Sequence, residues 1–74
     1  MNRSETITQG DAEFLGRIYD IESPAGIYLE GPDRVRARRM YKLGMVASGR
    51  LDPKRYAVLT RKGETFVERM RGGR

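Results

Sequence analysis

The sequence contains no cysteine and no histidine. Disulfides, zinc fingers, thiol and imidazole nucleophiles and imidazole general bases are excluded together. It also lacks any apolar run approaching the roughly 20 residues of a membrane span. The polar start, MNRSETITQGD, has no hydrophobic core of a signal peptide. An intracellular, cytoplasmic protein without a membrane partner is expected. Clustered carboxylates are few: Asp11, Glu13, Asp20 and Glu22, which spread around a helix rather than converge. No partner base and no glycine-rich phosphate loop accompany them. The chain is therefore not read as an enzyme, and no catalytic residue, metal ligand or cofactor is expected. With 74 residues it forms one small domain whose single core is marginal unless compact or partnered, so a homodimer is compatible with its size.

Acid is also scarce in the second half. Residues 1–33 hold two basic and seven acidic residues, a net charge of −5, whereas residues 34–74 hold thirteen basic and three acidic residues, a net charge of +10. This polarity fits one face for nucleic acid and another held away from it, or an acidic face that meets a protein. It fits equally well acidic and basic faces that pair within the monomer or between copies.

The densest basic stretch is GPDRVRARRMYKLGM. At about 100° per residue, a helix from Asp33 places Ala37, Met40, Tyr41, Leu43 and Gly44 on one side and Arg34, Arg38 and Lys42 opposite. Pro32 suits the first turn, where its missing N–H is no loss, and Gly44 suits the left-handed residue that ends a helix. Five basic residues, Arg34, Arg36, Arg38, Arg39 and Lys42, occupy nine positions with no acid between them. A solvated face usually offsets such repulsion with acidic partners one turn away, and here an anionic partner would relieve it.

Met45 and Val46 continue as an extended segment. Residues 49–54 supply a turn around Asp52 and Pro53, and Tyr56, Ala57, Val58 and Leu59 read as a returning strand. Thr60 then stands as N-cap of a further helix with the apolar spacing Phe66, Val67, Met70.

The order Ala37, Met40, LGMV at 43–46, a basic hairpin and YAVLTRKG at 56–63 resembles the winged-helix transcription regulators of the multiple-antibiotic-resistance type. Their pattern is a recognition helix ending in a Gly-Leu-Val-like step, a wing and a closing Leu-Thr-x-Lys-Gly. The resemblance covers residues 33–70. It implies a recognition helix in the major groove and a wing on the backbone or minor groove. The chain departs from that family in two respects. Only residues 23–32 are available for the first helix of a helix-turn-helix, and there is no room for long flanking helices that dimerise and sense ligands.

Upstream, Thr8 and Asp11 form a capping-box variant, followed by a helix to about Glu22 with the stripe Phe14, Leu15, Ile18, Tyr19 and Ile21. Gly16 interrupts it, weakening the helix by about 1 kcal/mol or permitting close packing. Ser23 and Pro24 end the helix. Residues 25–29 fit either a short helix or a strand that would complete a three-stranded sheet. Tyr19, Tyr28, Phe14 and Phe66 are read as core, and only Tyr56 has the look of an exposed aromatic on an RNA-binding sheet.

The fold expected is α+β, a small winged helix of about three helices with a two- or three-stranded antiparallel hairpin sheet. Residues 1–7 form a flexible start, 8–70 the domain and 71–74 a flexible basic tail. The function expected is a minimal double-stranded DNA-binding protein, a small transcriptional regulator or a viral or mobile-element accessory factor. Arg38 at the centre of the helix face reads a base and Val35 meets a thymine methyl. Arg34, Arg36, Arg39 and Lys42 reach bases or flanking phosphates, while Arg50, Lys54 and Arg55 of the wing touch backbone. The alternative is a winged-helix interaction module, such as a viral antagonist, whose basic face binds an acidic protein partner or a partner's nucleic-acid site.

Overall fold

The computed structural model describes residues 7–21 and 23–72. Glu22, residues 1–6 of the expected flexible start and residues 73–74 of the expected tail lie outside the described residues. The chain forms α1 (Gln9–Ile21), β1 (Ile27–Tyr28), α2 (Pro32–Lys42), β2 (Val46–Ser48), β3 (Tyr56–Leu59) and α3 (Arg61–Gly72). The three strands make one antiparallel sheet in the order β1-β3-β2. This is the expected α+β class in a winged-helix-like layout. The open choice at residues 25–29 resolves as a strand, because Ile27 and Tyr28 pair with Ala57 and Tyr56 of β3.

Each helix starts and stops for a local reason. At the start of α1, the Asp11 N–H donates to Thr8 Oγ1 and the Thr8 N–H donates to Asp11 Oδ2, both at 3.1 Å, which is the reciprocal capping box. Pro32 opens α2. At its end, the Gly44 N–H donates to Tyr41 O and the Met45 N–H to Met40 O, with Gly44 at φ 78°, the Schellman arrangement a non-glycine residue would strain. Thr60 caps α3, its Oγ1 accepting from the Gly63 N–H at 3.1 Å.

The LTRKG stretch also does more than start α3. Thr60 Oγ1 donates to Gly44 O, Lys62 Nζ donates to Leu43 O at 2.9 Å, and Gly63 lies so close to Met45 that a methyl group there would run into its carbonyl. The start of α3 therefore holds the end of α2 in place.

Phe14, Leu15 and Ile18 of α1 meet Ile27, Leu29, Ala37, Met40, Met45, Val46, Ala57 and Val67 in one core. The apolar stripes are narrower than expected. Ile21 and Met70, at the ends of their helices, are largely exposed, and Tyr19 and Phe66 are partly buried. Tyr28 is 42% exposed, since strand alternation turns Ile27 inward and its neighbour outward. Tyr41 is 60% exposed. It lies one residue, about 100°, beyond Met40, and α2 packs mainly on α1 and β2, which leave the Tyr41 side of the helix open.

Gly16 is buried where α1 meets the end of α3, beneath the Arg71 guanidinium. Arg71 reaches over it, its Nη2 3.5 Å from Gly16 O, and grips the Asp20 carboxylate at 2.6 and 2.9 Å. Arg71 also lies 5.6 Å from the centroid of the Tyr19 ring. Arg71 and Gly72, placed by the sequence in a flexible tail, thus belong to the last turn of α3. Ile7, placed in the flexible start, packs against the core.

Candidate nucleic-acid interface

The basic residues of α2 divide into two rows. On the inner row, Arg39 Nη1 lies 3.0 and 2.7 Å from the two carboxylate oxygens of Asp11, which is fully buried. Arg36 lies 3.9 Å from the same carboxylate and 3.8 Å from Asp33. Asp33 is in turn held by both terminal nitrogens of Arg17, at 2.8 and 3.2 Å. The repulsion among the five basic residues of α2 is therefore partly offset, by acids from α1 and from the first turn of α2. Asp33 and Arg36 form an i,i+3 pair within α2, whereas Asp11 comes from a distant segment, so the one-dimensional pattern does not show its pairing.

The outer row is different. Arg34, Arg38 and Lys42 are exposed, and among the described residues none offers them an ion pair or a side-chain hydrogen bond. Val35 is exposed beside them, and Arg38 occupies the middle of the face as expected.

Between α2 and the hairpin of β2 and β3 runs a groove of about 240 Å³, with Arg34, Arg38 and Tyr41 on one wall and Pro53, Lys54 and Tyr56 on the other. The hairpin turn that presents Lys54 is rigidly tied. Asp52 O accepts the N–H groups of Arg55 and Tyr56, and Asp52 Oδ1 accepts the Lys54 N–H at 3.3 Å. Leu51 at the tip is 83% exposed.

The structure thus brings Arg34, Arg38 and Lys54 together. It places Arg50 elsewhere, in a separate cleft lined by Tyr19, Glu64 and Glu68. Arg55 sits in the hairpin turn just before β3, 3.9 Å from Asp52. Tyr41, Tyr28 and Leu51 join the exposed surface without having been foreseen.

Asp11 and Asp20 of α1 are engaged in the fold. Asp11 serves the capping box and Arg39, and the Arg71 guanidinium hydrogen-bonded to Asp20 holds that carboxyl below the usual carboxylate range. Tyr19 donates to Glu68 at 3.1 Å, a hydrogen bond that, with the glutamate charge, raises the phenol above its ordinary value. Among the described residues no cluster of acidic side chains is arranged to hold a metal ion, and no helix is long and apolar enough to cross a membrane. Compared with known family models, characterised proteins and solved structures, the chain matches none.

Proposed function

We propose that the chain is a minimal DNA-binding protein in which the outer face of α2 enters the major groove and the hairpin of residues 46–59 acts as a wing on the backbone. One observation carries this reading. Once Asp11, Asp20 and Asp33 have engaged Arg36, Arg39, Arg71 and Arg17, the side chains of Arg34, Arg38 and Lys42 are left without partners among the described residues, and Arg34 and Arg38 face Lys54 across a groove. A row of unneutralised arginines costs self-repulsion and contributes nothing to the core, whereas a polyphosphate backbone relieves it. At eleven residues α2 is about 16 Å long, and a helix fits the roughly 12 Å width of the major groove. Arg34 and Lys42, one turn to either side of Arg38, suit phosphates, and Val35 suits a thymine methyl. Arg36 and Arg39 contribute through the fold, by fixing α2 on α1.

Binding to random duplex DNA across a salt series tests the reading directly. The slope of log affinity against log salt should be about −0.9 per phosphate neutralised, and replacing Arg34, Arg38 and Lys42 with alanine should flatten it. A flat, weak response in the intact protein would count against DNA altogether.

One observation favours a second reading. A single helix, α2, stands between β1 and β2, so the first helix of a helix-turn-helix is absent and residues 29–31 alone lead into α2. A module that places the same basic face on an acidic protein surface needs no such helix. That reading predicts binding to an acidic protein, with loss on Arg38→Ala, and no affinity for duplex DNA at low salt.

A further inference from the structure

We propose that the groove between α2 and the hairpin holds an unpaired base, so that the protein binds where a DNA duplex opens into a single strand. This rests on the duplex reading above and adds a second element to it. Phosphate binding requires charge alone, yet this groove is built from rings and charge together. Tyr41 stands 60% exposed on the wall that carries Arg34 and Arg38, and Tyr56 stands opposite beside Lys54. Tyr28 braces Tyr56 edge-on, with ring centroids 5.4 Å apart and planes at 69°. Neither Tyr28 nor Tyr41 is buried enough to belong to the core, so their rings are surface features of the groove and its flank.

The bases of an intact duplex present only their edges in the grooves, and their faces are covered by neighbouring base pairs. A tyrosine ring can stack on a base only when that base has left the stack. Stacking of this kind tolerates any sequence, because every base has a π face. The nucleotide that supplies the base also supplies phosphates on both sides of it. Arg34, Arg38 and Lys54 line the same groove, and their side chains have no partner among the described residues. Rings for the base and cations for its flanking phosphates are the two requirements of a single-strand site.

The test compares three probes on the whole protein: a blunt duplex, the same duplex with a short single-stranded tail, and that duplex with an abasic tail. The base-bearing tail should tighten binding about five- to a hundredfold, the range that stacking one base on an aromatic ring supplies. The abasic tail should not. Tyr41→Leu should lose this preference while keeping blunt-duplex affinity, and Tyr41→Phe should keep it. The chain has four tyrosines and no tryptophan, so tyrosine fluorescence reports stacking in the unaltered protein, with quenching by the base-bearing tail only. Equal affinity for all three probes would overturn the inference and leave the duplex reading standing. Binding of the base-bearing tailed duplex alone, with no affinity for the blunt or abasic-tailed duplex, would uphold the base site and overturn the duplex reading.

Discussion

Arg38 and Arg39 are adjacent, carry the same group and lie on the same helix, yet they face different worlds. Arg39 turns towards α1 and neutralises Asp11, a carboxylate with no solvent exposure. Arg38 turns outward and has no partner among the described residues. A 100° rotation separates a residue that builds the fold from one available to a ligand. Basic density along a chain thus overstates a binding surface when part of the charge is drawn inward by acids from another segment. The acidic first half and basic second half of this chain meet in that way, through Asp11 with Arg36 and Arg39 and through Asp20 with Arg71.

Breaking the inner face of α2 should have the largest effect. Met40 is completely buried, and Met40→Ala should cost about 2 to 5 kcal/mol in a denaturant melt, enough to unfold much of so small a domain. Leu43, partly exposed at the helix end, should cost less.

A finer contrast comes from the arginines themselves. Arg39→Ala leaves Asp11 buried with a weaker set of partners and should cost about 1 to 3 kcal/mol, whereas Arg38→Ala should stay within about 0.5 kcal/mol. Equal losses in the two melts would mean that α2 is rotated from the position described.

The wing offers a parallel comparison. Lys54 shares the groove with Arg34 and Arg38 and Arg50 does not, so Lys54→Ala should flatten the salt slope of DNA binding by about 0.9 and Arg50→Ala by less. Both should act alike on every duplex sequence, because contacts to phosphate carry no base information.

The smallest effect concerns pH. The folded-state pKa of Asp20 is lowered by Arg71, so the pair contributes stability above the ordinary carboxylate pKa of about 3.9 and loses it as pH falls through the lower folded value. Acid melts of Asp20→Asn should lack that increment. The pair is solvent-exposed, so the difference should be minor.

Local chemistry made much of this legible in the sequence. The Thr8–Asp11 capping box, Pro32, Gly44 and the Thr60 cap each depend on neighbours within a few positions, and each stands where the residues place it. The centre of the basic face at Arg38 followed from helical spacing alone. What was not legible depends on distant partners. Nothing near Arg39 announces Asp11, nothing near Arg71 announces Asp20, and the exposure of Tyr41 depends on which elements pack against α2. The ends of the apolar stripes failed for a related reason: Ile21 and Met70 continue a helical pattern past the point where a neighbour exists to cover them.

The central claim is that the outer row of α2 reads DNA while the inner row holds the fold. Selection of bound fragments from random duplex DNA, run in parallel on the intact protein, Arg38→Ala and Arg39→Ala at a temperature where all three are folded, tests it most directly. The account predicts an enriched motif for the intact protein, retained by Arg39→Ala. In Arg38→Ala the preference at one base pair should fall by about 1 to 3 kcal/mol while random-sequence affinity drops only modestly. No enriched motif in the intact protein, or the same motif unchanged in Arg38→Ala and lost in folded Arg39→Ala, would contradict it.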